Sequence, residues 1–162
     1  YATKVFDASK KVSEQDLKTI LESGRLAPSS LGLEPWKFIV VENMDTRQKL
    51  RAAAFGQEKV TDASHLIVIA HRTDKAIAQE LLDRTAKTHQ VDVATLEGLK
   101  GMASGAVEGR SAEDFATWNH GETYIPLGMM IETVFPQRAR ISSCTCRPKN
   151  PPPPVSKMTE GW

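Results

Sequence analysis

Two prolines, Pro28 and Pro35, enclose a short polar loop and restrict the fold more than any other feature of the sequence. Each proline fixes φ and lacks an amide hydrogen, so the apolar helix pattern before them cannot continue through the loop. Residues 38–41, Phe-Ile-Val-Val, form a continuous apolar run that predicts a strand covered on both faces. We therefore expect a helix that ends at Gly24, a stiffened loop and a buried strand.

The loop between the prolines carries two adjacent hydroxyl side chains, Ser29 and Ser30. Their hydroxyl and backbone N–H groups could bind a polar or anionic ligand. Most loops of this composition only connect two elements. From the loop alone, two interpretations therefore stay open: a ligand site and a plain connection.

Length and charge exclude several classes of protein. A chain of 162 residues has the size of one domain with a real core. Its 21 basic and 20 acidic residues leave a net charge of +1, which gives no electrostatic basis for binding nucleic acid or an anionic membrane. No apolar run approaches the ~20 residues that span a bilayer, and no signal-peptide pattern opens the chain. We expect a cytoplasmic protein that spans no membrane.

The cysteines and histidines do not indicate a metal or disulfide site. Cys144 and Cys146 are separated by one residue, which is a poor disulfide spacing and gives no framework. The four histidines lack the spacing of metal ligands. We therefore expect no metal.

Apolar periodicity predicts the remaining elements. We expect helices that begin near Ser13, Asp45, Asp74 and Ser111, a loose exposed helix or lid at 92–109, and a second strand at 65–70. The last helix is apolar nearly all round in its second half, as expected for a helix in a core or a subunit interface. Pro126 should kink it by removing one backbone hydrogen bond.

Several motifs together resemble those of the FMN-dependent nitroreductase family. The motifs are Thr3-Lys4-Val5-Phe6-Asp7, Ala27-Pro28-Ser29-Ser30, Glu34-Pro35-Trp36, Asp62-Ala63-Ser64-His65, and Trp118 and Tyr124 with Leu127-Gly128. They follow the family's order over residues 1–134. The resemblance implies an α+β fold in which helices flank a small mixed sheet, and a homodimer with a helical interface.

The resemblance also implies an activity, that of an NAD(P)H oxidoreductase of nitroreductase type. Hydride passes from NADH or NADPH to FMN, and then to a nitro-aromatic, a quinone or a similar small acceptor. Because flavin N5 carries the chemistry, such an enzyme needs no catalytic acid or base, and we expect no catalytic side chain.

Cofactor contacts follow from the resemblance residue by residue. The cofactor-binding residues that it implies are Thr3, Lys4, Pro28, Ser29, Ser30, Leu31, Gln57 and Lys59. In this family the serine loop reaches FMN from the partner subunit, and Lys59 matches a lysine near the pyrimidine edge of the flavin. A solvated lysine at a helix end is the alternative for Lys59. Counting back from Asp62 places the family's amide side chain at Gly56, and Gln57 is the neighbouring candidate.

Residues 135–162 depart from the family pattern. The segment 148–154 contains five prolines, and Thr145-Cys146-Arg147-Pro148 stands where the family has a Pro-x-Glu-Gly turn. We expect one domain over 1–162, family-like to residue 134 and divergent, Pro-rich and incomplete beyond it.

Two alternatives to the enzyme stay open. One is a non-catalytic dimerising fragment with impaired flavin binding, and the other is a protein that stores or senses flavin without turnover.

Overall fold

The computed structural model describes residues 5–141, and the side chains of residues 5–134. Over this range helices predominate around two strands, so the expected α+β class is confirmed. The elements are α1 Glu14–Arg25, β1 Trp36–Val41, α2 Met44–Ala53, α3 Lys59–Asp62, β2 Leu66–His71, α4 Ile77–His89, α5 Glu97–Glu108, α6 Ala112–Glu122 and α7 Tyr124–Ile141. Short 3-10 helices occupy Ser30–Gly32 and Val93–Leu96.

The sheet of the described chain is a single antiparallel pair. The register runs from Trp36 opposite His71 to Val41 opposite Leu66. The start of β1 therefore lies beside the end of β2, and the two ends of the sheet are about 17 Å apart. The mixed sheet that the resemblance implies is not present within residues 5–141, where these two strands pair only with each other.

The two faces of this sheet differ in burial. Trp36, on one face, is buried, and Phe38 on the same face contacts α1. Ile39 and Val68 are cross-strand partners on the other face, where they are 48% and 36% exposed. The prediction of a strand covered on both faces is therefore wrong for the described chain. The apolar run has the composition of a buried strand, but one of its faces is open.

The main core lies between the proline-flanked loop and helices α4, α5 and α6. Its buried members are Leu33, Ile77, Leu81, Ala103, Val107 and Phe115. Burying a side chain such as Ile77 stabilises the fold by roughly 1.5–3 kcal/mol. Because α5 contributes two fully buried residues, it is not the loose exposed helix or lid that its glycines predict. Those glycines lie on its open side.

Side-chain caps begin the helices where the sequence predicts them. The Ser13 Oγ accepts a hydrogen bond from the Asp16 N–H at 3.1 Å, and the Ser111 Oγ accepts one from the Asp114 N–H at 3.1 Å. Each cap satisfies one of the amide hydrogens that a first turn leaves unpaired. A local four-residue pattern is thus enough to locate these helix starts.

The long apolar segment after Ser111 forms two helices rather than one kinked helix. α6 ends at Glu122, Thr123 separates the two, and α7 begins at Tyr124. Pro126 is consequently in the first turn of α7, where an amide hydrogen has no partner within the helix. The predicted kink at Pro126 is therefore wrong. No helix of the described chain is both long and apolar enough to cross a membrane.

Candidate functional site

Ser29 closes the proline-flanked loop on itself. Its Oγ accepts a hydrogen bond from the Glu34 N–H at 2.8 Å. A hydroxyl can accept and donate at the same time, so the Ser29 hydroxyl hydrogen is still available to a ligand. This side chain combines a structural role with a free donor.

Ser30 fastens the loop to α6. Its N–H donates to Glu122 Oε2 at 2.9 Å, and its hydroxyl donates to Glu122 Oε1 at 2.6 Å. Glu122 is only 8% exposed, and hydrogen bonds to an ionised carboxylate are among the stronger ones in proteins. Both donors that the sequence offers at Ser30 are therefore occupied by a side chain 92 positions away.

Helix α4 holds the other side of the loop. The Arg84 guanidinium donates to the Gly32 carbonyl and forms an ion pair with Glu34 at 3.5 Å. Leu33 and Pro35 are buried beneath these contacts. The loop is thus fixed from α6 at Ser30 and from α4 at Gly32.

At and next to these two anchors the backbone adopts left-handed conformations. Leu31 has φ 57° and Glu34 has φ 49°, while Gly32 has φ 76°. A residue other than glycine in this region costs roughly 1–2 kcal/mol, and such strain persists only where the surroundings impose it. The exposed Leu31 side chain is therefore presented by a backbone that its neighbours hold in place.

Residues 54–59, the lysine turn, lead from α2 into α3: Gln57 lies between the two helices, and Lys59 is the first residue of α3. The Arg51 Nε–H donates to the Gly56 carbonyl at 3.1 Å, which fixes this turn to α2. Gln57 is exposed, whereas Lys59 is half-buried and its ammonium group makes no ion pair or hydrogen bond within the described residues. A half-buried cation without a counter-charge is suited to an anionic or oxygen-rich ligand.

The two groups of predicted site residues are at opposite ends of the sheet. Ser29–Leu31 precede Trp36 at the start of β1, whereas Lys59 precedes Leu66 at the start of β2. Because the strands are antiparallel, these starts are separated by the length of the sheet, about 17 Å. Among residues 5–134 no hydrogen bond joins the two groups. Thr3 and Lys4, also predicted, lie outside the described residues.

The structure adds residues that the sequence analysis did not select. Glu122 and Arg84 hold the loop, and their partners are distant in the sequence, so no local pattern could indicate them. Phe55, next to the Gln57 turn, has φ 56° and is 96% exposed. The sequence signal for Phe55 is an aromatic residue directly before a glycine in a turn.

The rest of the described chain offers few other groups for chemistry. His120 packs edge-on against His71 and Tyr124, with ring centroids 5.6 Å apart in each pair. Over residues 5–134 no group of three or more His, Cys, Asp or Glu side chains is arranged to hold a metal ion. Cys144 and Cys146 are outside the described residues.

The available donors fit an oxygen-rich, anionic cofactor such as the flavin that the resemblance implies. The Ser29 hydroxyl can donate a hydrogen bond, and the Lys59 ammonium group carries a charge that is not neutralised by a described residue. Ser30, in contrast to Ser29, offers no free donor, because Glu122 accepts hydrogen bonds from both its N–H and its hydroxyl. The arrangement offers binding groups and contains no acid–base pair.

These features define an α+β protein with a fixed polar loop at one end of its sheet and a lysine turn at the other. The Nitroreductase family matches residues 1–133, and the chain belongs to this family. It is 38% identical over 137 residues to a provisionally named NAD(P)H nitroreductase of Staphylococcus saprophyticus. The match covers 81% of this chain and 63% of that protein, so the chain spans less than two thirds of the relative's length.

Solved structures share the fold. A nitroreductase-like protein of Bacillus subtilis superposes with a TM-score of 0.72 at 18% identity, covering 100% of this chain and 94% of the other. A second protein, from Exiguobacterium sibiricum and solved in complex with FMN, gives a TM-score of 0.69 at 17% identity, covering 100% and 92%. At these identities the likeness establishes the fold alone.

Proposed function

We propose that this chain acts as an FMN-dependent NAD(P)H oxidoreductase that passes hydride to nitro-aromatics, quinones or similar small acceptors. The observation that carries the proposal is the family match over residues 1–133, which includes both the serine loop and Lys59. The name of the Staphylococcus relative supports NAD(P)H as the donor, and the FMN complex of the Exiguobacterium protein supports the flavin.

The chain's own residues would bind and orient rather than react. FMN, when bound, supplies the hydride-transfer chemistry. The Ser29 hydroxyl would donate a hydrogen bond to an oxygen or nitrogen acceptor of the cofactor, and Lys59 would place a positive charge beside it. A cation near a flavin favours its more negatively charged, reduced form. Pro28 and Leu31 would contact the cofactor from the serine loop, and Gln57 would offer its side-chain amide from the lysine turn.

We further propose that each site is shared between two copies of the chain. The serine loop and Lys59 lie toward opposite ends of the sheet within one protomer, and the two ends of the sheet are about 17 Å apart. A two-fold dimer can bring the loop of one copy to the lysine turn of the other. Helix α7 supplies an apolar surface for such a dimer, with exposed Tyr124, Ile125, Leu127, Met129 and Ile131.

Flavin titration of the purified chain tests this function. Bound FMN should lose fluorescence in proportion to protein, and anaerobic NADH or NADPH should bleach its visible absorbance. Adding a quinone or a nitro-aromatic should restore the colour. If the chain does not bind FMN, the oxidoreductase proposal is wrong and the dimerising fragment is favoured. Binding without bleaching by either nucleotide would instead favour flavin storage or sensing.

A further inference from the structure

We infer that Glu122 is a positioning residue for the flavin-binding loop, and that Ser30 affects the cofactor through Glu122 rather than by direct contact. This role rests on the proposed function and assigns the part that Ser30 plays in it. The carboxylate of α6 would hold the loop in its binding conformation before any ligand arrives.

The geometry accounts for every donor at Ser30. The N–H donates to Glu122 Oε2 at 2.9 Å and the hydroxyl donates to Glu122 Oε1 at 2.6 Å. Because one carboxylate binds both groups, neither hydrogen is left for a ligand in this conformation. Ser29 differs, since its Oγ accepts from the Glu34 N–H and its own hydrogen is not used by the described residues.

The loop needs such an anchor because its backbone is strained. Leu31 and Glu34 both have positive φ, and such conformations in residues other than glycine are kept only when outside contacts impose them. Glu122 supplies the contact before Leu31, and Arg84 supplies the contact after it, at the Gly32 carbonyl. Losing the first anchor should release Leu31 toward ordinary backbone conformations.

Charge is not essential to this anchor, which makes the role testable. Glu122 forms no ion pair within the described residues, and its hydrogen-bond partners are neutral. A glutamine has one acceptor oxygen and an amide donor. It could accept from the Ser30 N–H and donate to the Ser30 Oγ, and so keep two bonds without charge. Glu122→Gln should therefore rescue what Glu122→Ala loses.

Amide hydrogen exchange of the protein without flavin is the first arm of the test. In Glu122→Ala the amides of Ser30, Leu33 and Glu34 should exchange at least tenfold faster than in the wild type, and in Glu122→Gln nearly at the wild-type rate. Glu113→Ala, an exposed change on the same helix, is the matched control and should alter nothing in the loop. Unchanged loop exchange in Glu122→Ala would overturn the inference. If that variant does not fold, Glu122→Met fills the space without an acceptor.

FMN affinity in a double-mutant cycle is the second arm. Glu122→Ala should weaken FMN binding about tenfold or more, and Ser30→Ala should add nothing further in that background. Additive losses would mean that Ser30 contacts the cofactor directly, and would overturn the inference. Absence of FMN binding by the wild-type chain would refute the proposed function instead. The exchange result would then decide by itself whether Glu122 positions the loop.

Discussion

Gly24 of α1 lies directly against Met130 of α7. A Cβ on Gly24 would be 2.9 Å from Met130 Sδ and 2.9 Å from Phe38 Cζ, closer than side-chain atoms normally approach. The helix continues to Arg25 and is capped at Leu26, so Gly24 is within α1 and does not have the terminal role that the sequence predicts. Close packing of two helices and a strand is the physical reason for glycine here.

Gly24→Ala should therefore destabilise the chain. Overpacking costs about 1–3 kcal/mol, whereas the better helix propensity of alanine returns about 1 kcal/mol, so we expect a net loss of up to about 2 kcal/mol. Gly101→Ala is the control, because a Cβ on Gly101 meets open space on α5 and should raise stability by about 0.5–1 kcal/mol. Urea unfolding of both variants measures the difference. Equal stabilisation by the two substitutions would contradict the packing explanation.

A buried guanidinium makes a second prediction. Arg47 is 3% exposed and donates to the carbonyls of Val41 at 2.7 Å, Ala63 at 2.7 Å and Ser64 at 3.3 Å, tying α2 to the ends of both strands. Arg47→Met keeps the side-chain length but leaves three carbonyls without their donor. We expect a loss of about 2–4 kcal/mol in the free energy of unfolding. Lys49→Met, exposed on the same helix, should stay within about 0.5 kcal/mol of the wild type.

Arg72 gives a prediction about pH. It binds both Asp74 and Glu80, and these hydrogen bonds lower the pKa of each carboxyl group below its ordinary value of 3.8 or 4.5. The folded chain consequently binds fewer protons than the unfolded chain near pH 4. The stabilisation is complete above the ordinary pKa values and is lost as pH falls through the lowered ones.

Arg72→Met should thus lower stability at pH 7 by on the order of 1 kcal/mol or less, because both carboxyl groups are about half exposed and screened by solvent. Unfolding measured between pH 7 and pH 2.5 should show the two proteins converging as pH falls. High salt at pH 7 should also bring them together. A difference that is constant over this pH range would show that the carboxyl groups are not involved.

Local patterns predicted much of the fold. The Ser13 and Ser111 caps, both strands and the order of the helices depend on neighbouring residues, and their predicted positions are within a few residues of the observed ones. The break at Thr123 does not follow from such local patterns. A proline three residues further on suggested a kink, but helix starts tolerate proline, and only the packing of α7 distinguishes the two outcomes.

The candidate site could be predicted only in part, because it too depends on contacts between residues that are distant in the sequence. Local motifs indicate the serine loop and Lys59, whereas the Ser30–Glu122 contact joins residues 92 positions apart. The sequence pattern contains no information on which distant carboxylate satisfies a loop hydroxyl. It likewise gave no indication that Ser30 has no donor left for a ligand.

The outward face of α7 predicts a dimer that charge can disrupt. Leu127→Glu combined with Ile131→Glu changes two exposed side chains, so the protomer should remain folded. Each apolar side chain buried at an interface contributes about 1.5–3 kcal/mol, so the dimer should dissociate at a protein concentration about a hundredfold higher or more. Sedimentation velocity measures this, with Met102→Glu on α5 as the control. A well-folded wild-type monomer at micromolar concentration would refute the interface.

Two variants that each bind FMN weakly should restore tight binding when they are combined in one dimer. A loop variant, Ser29→Ala with Ser30→Ala, weakens one half of the proposed site, and Lys59→Met weakens the other half. We expect each variant alone to bind FMN at least about tenfold less tightly, because the loop variant loses the Ser29 donor and a hydrogen bond that anchors the loop to Glu122, and Lys59→Met loses a positive charge. Lys49→Met is the matched control for Lys59→Met and should bind FMN as the wild type does.

Co-expression of the two variants shows from the stoichiometry of FMN binding whether one protomer or two protomers form each site. If the loop of one protomer meets Lys59 of its partner, each mixed dimer has one site with both defects and one intact site. Random assortment makes half of the dimers mixed, so about a quarter of all protomers should bind FMN with wild-type affinity. If the loop and Lys59 of the same protomer formed the site, no intact site could arise. A stoichiometry of high-affinity FMN binding near zero in the mixture would therefore refute a shared site, since every site would then carry one defect.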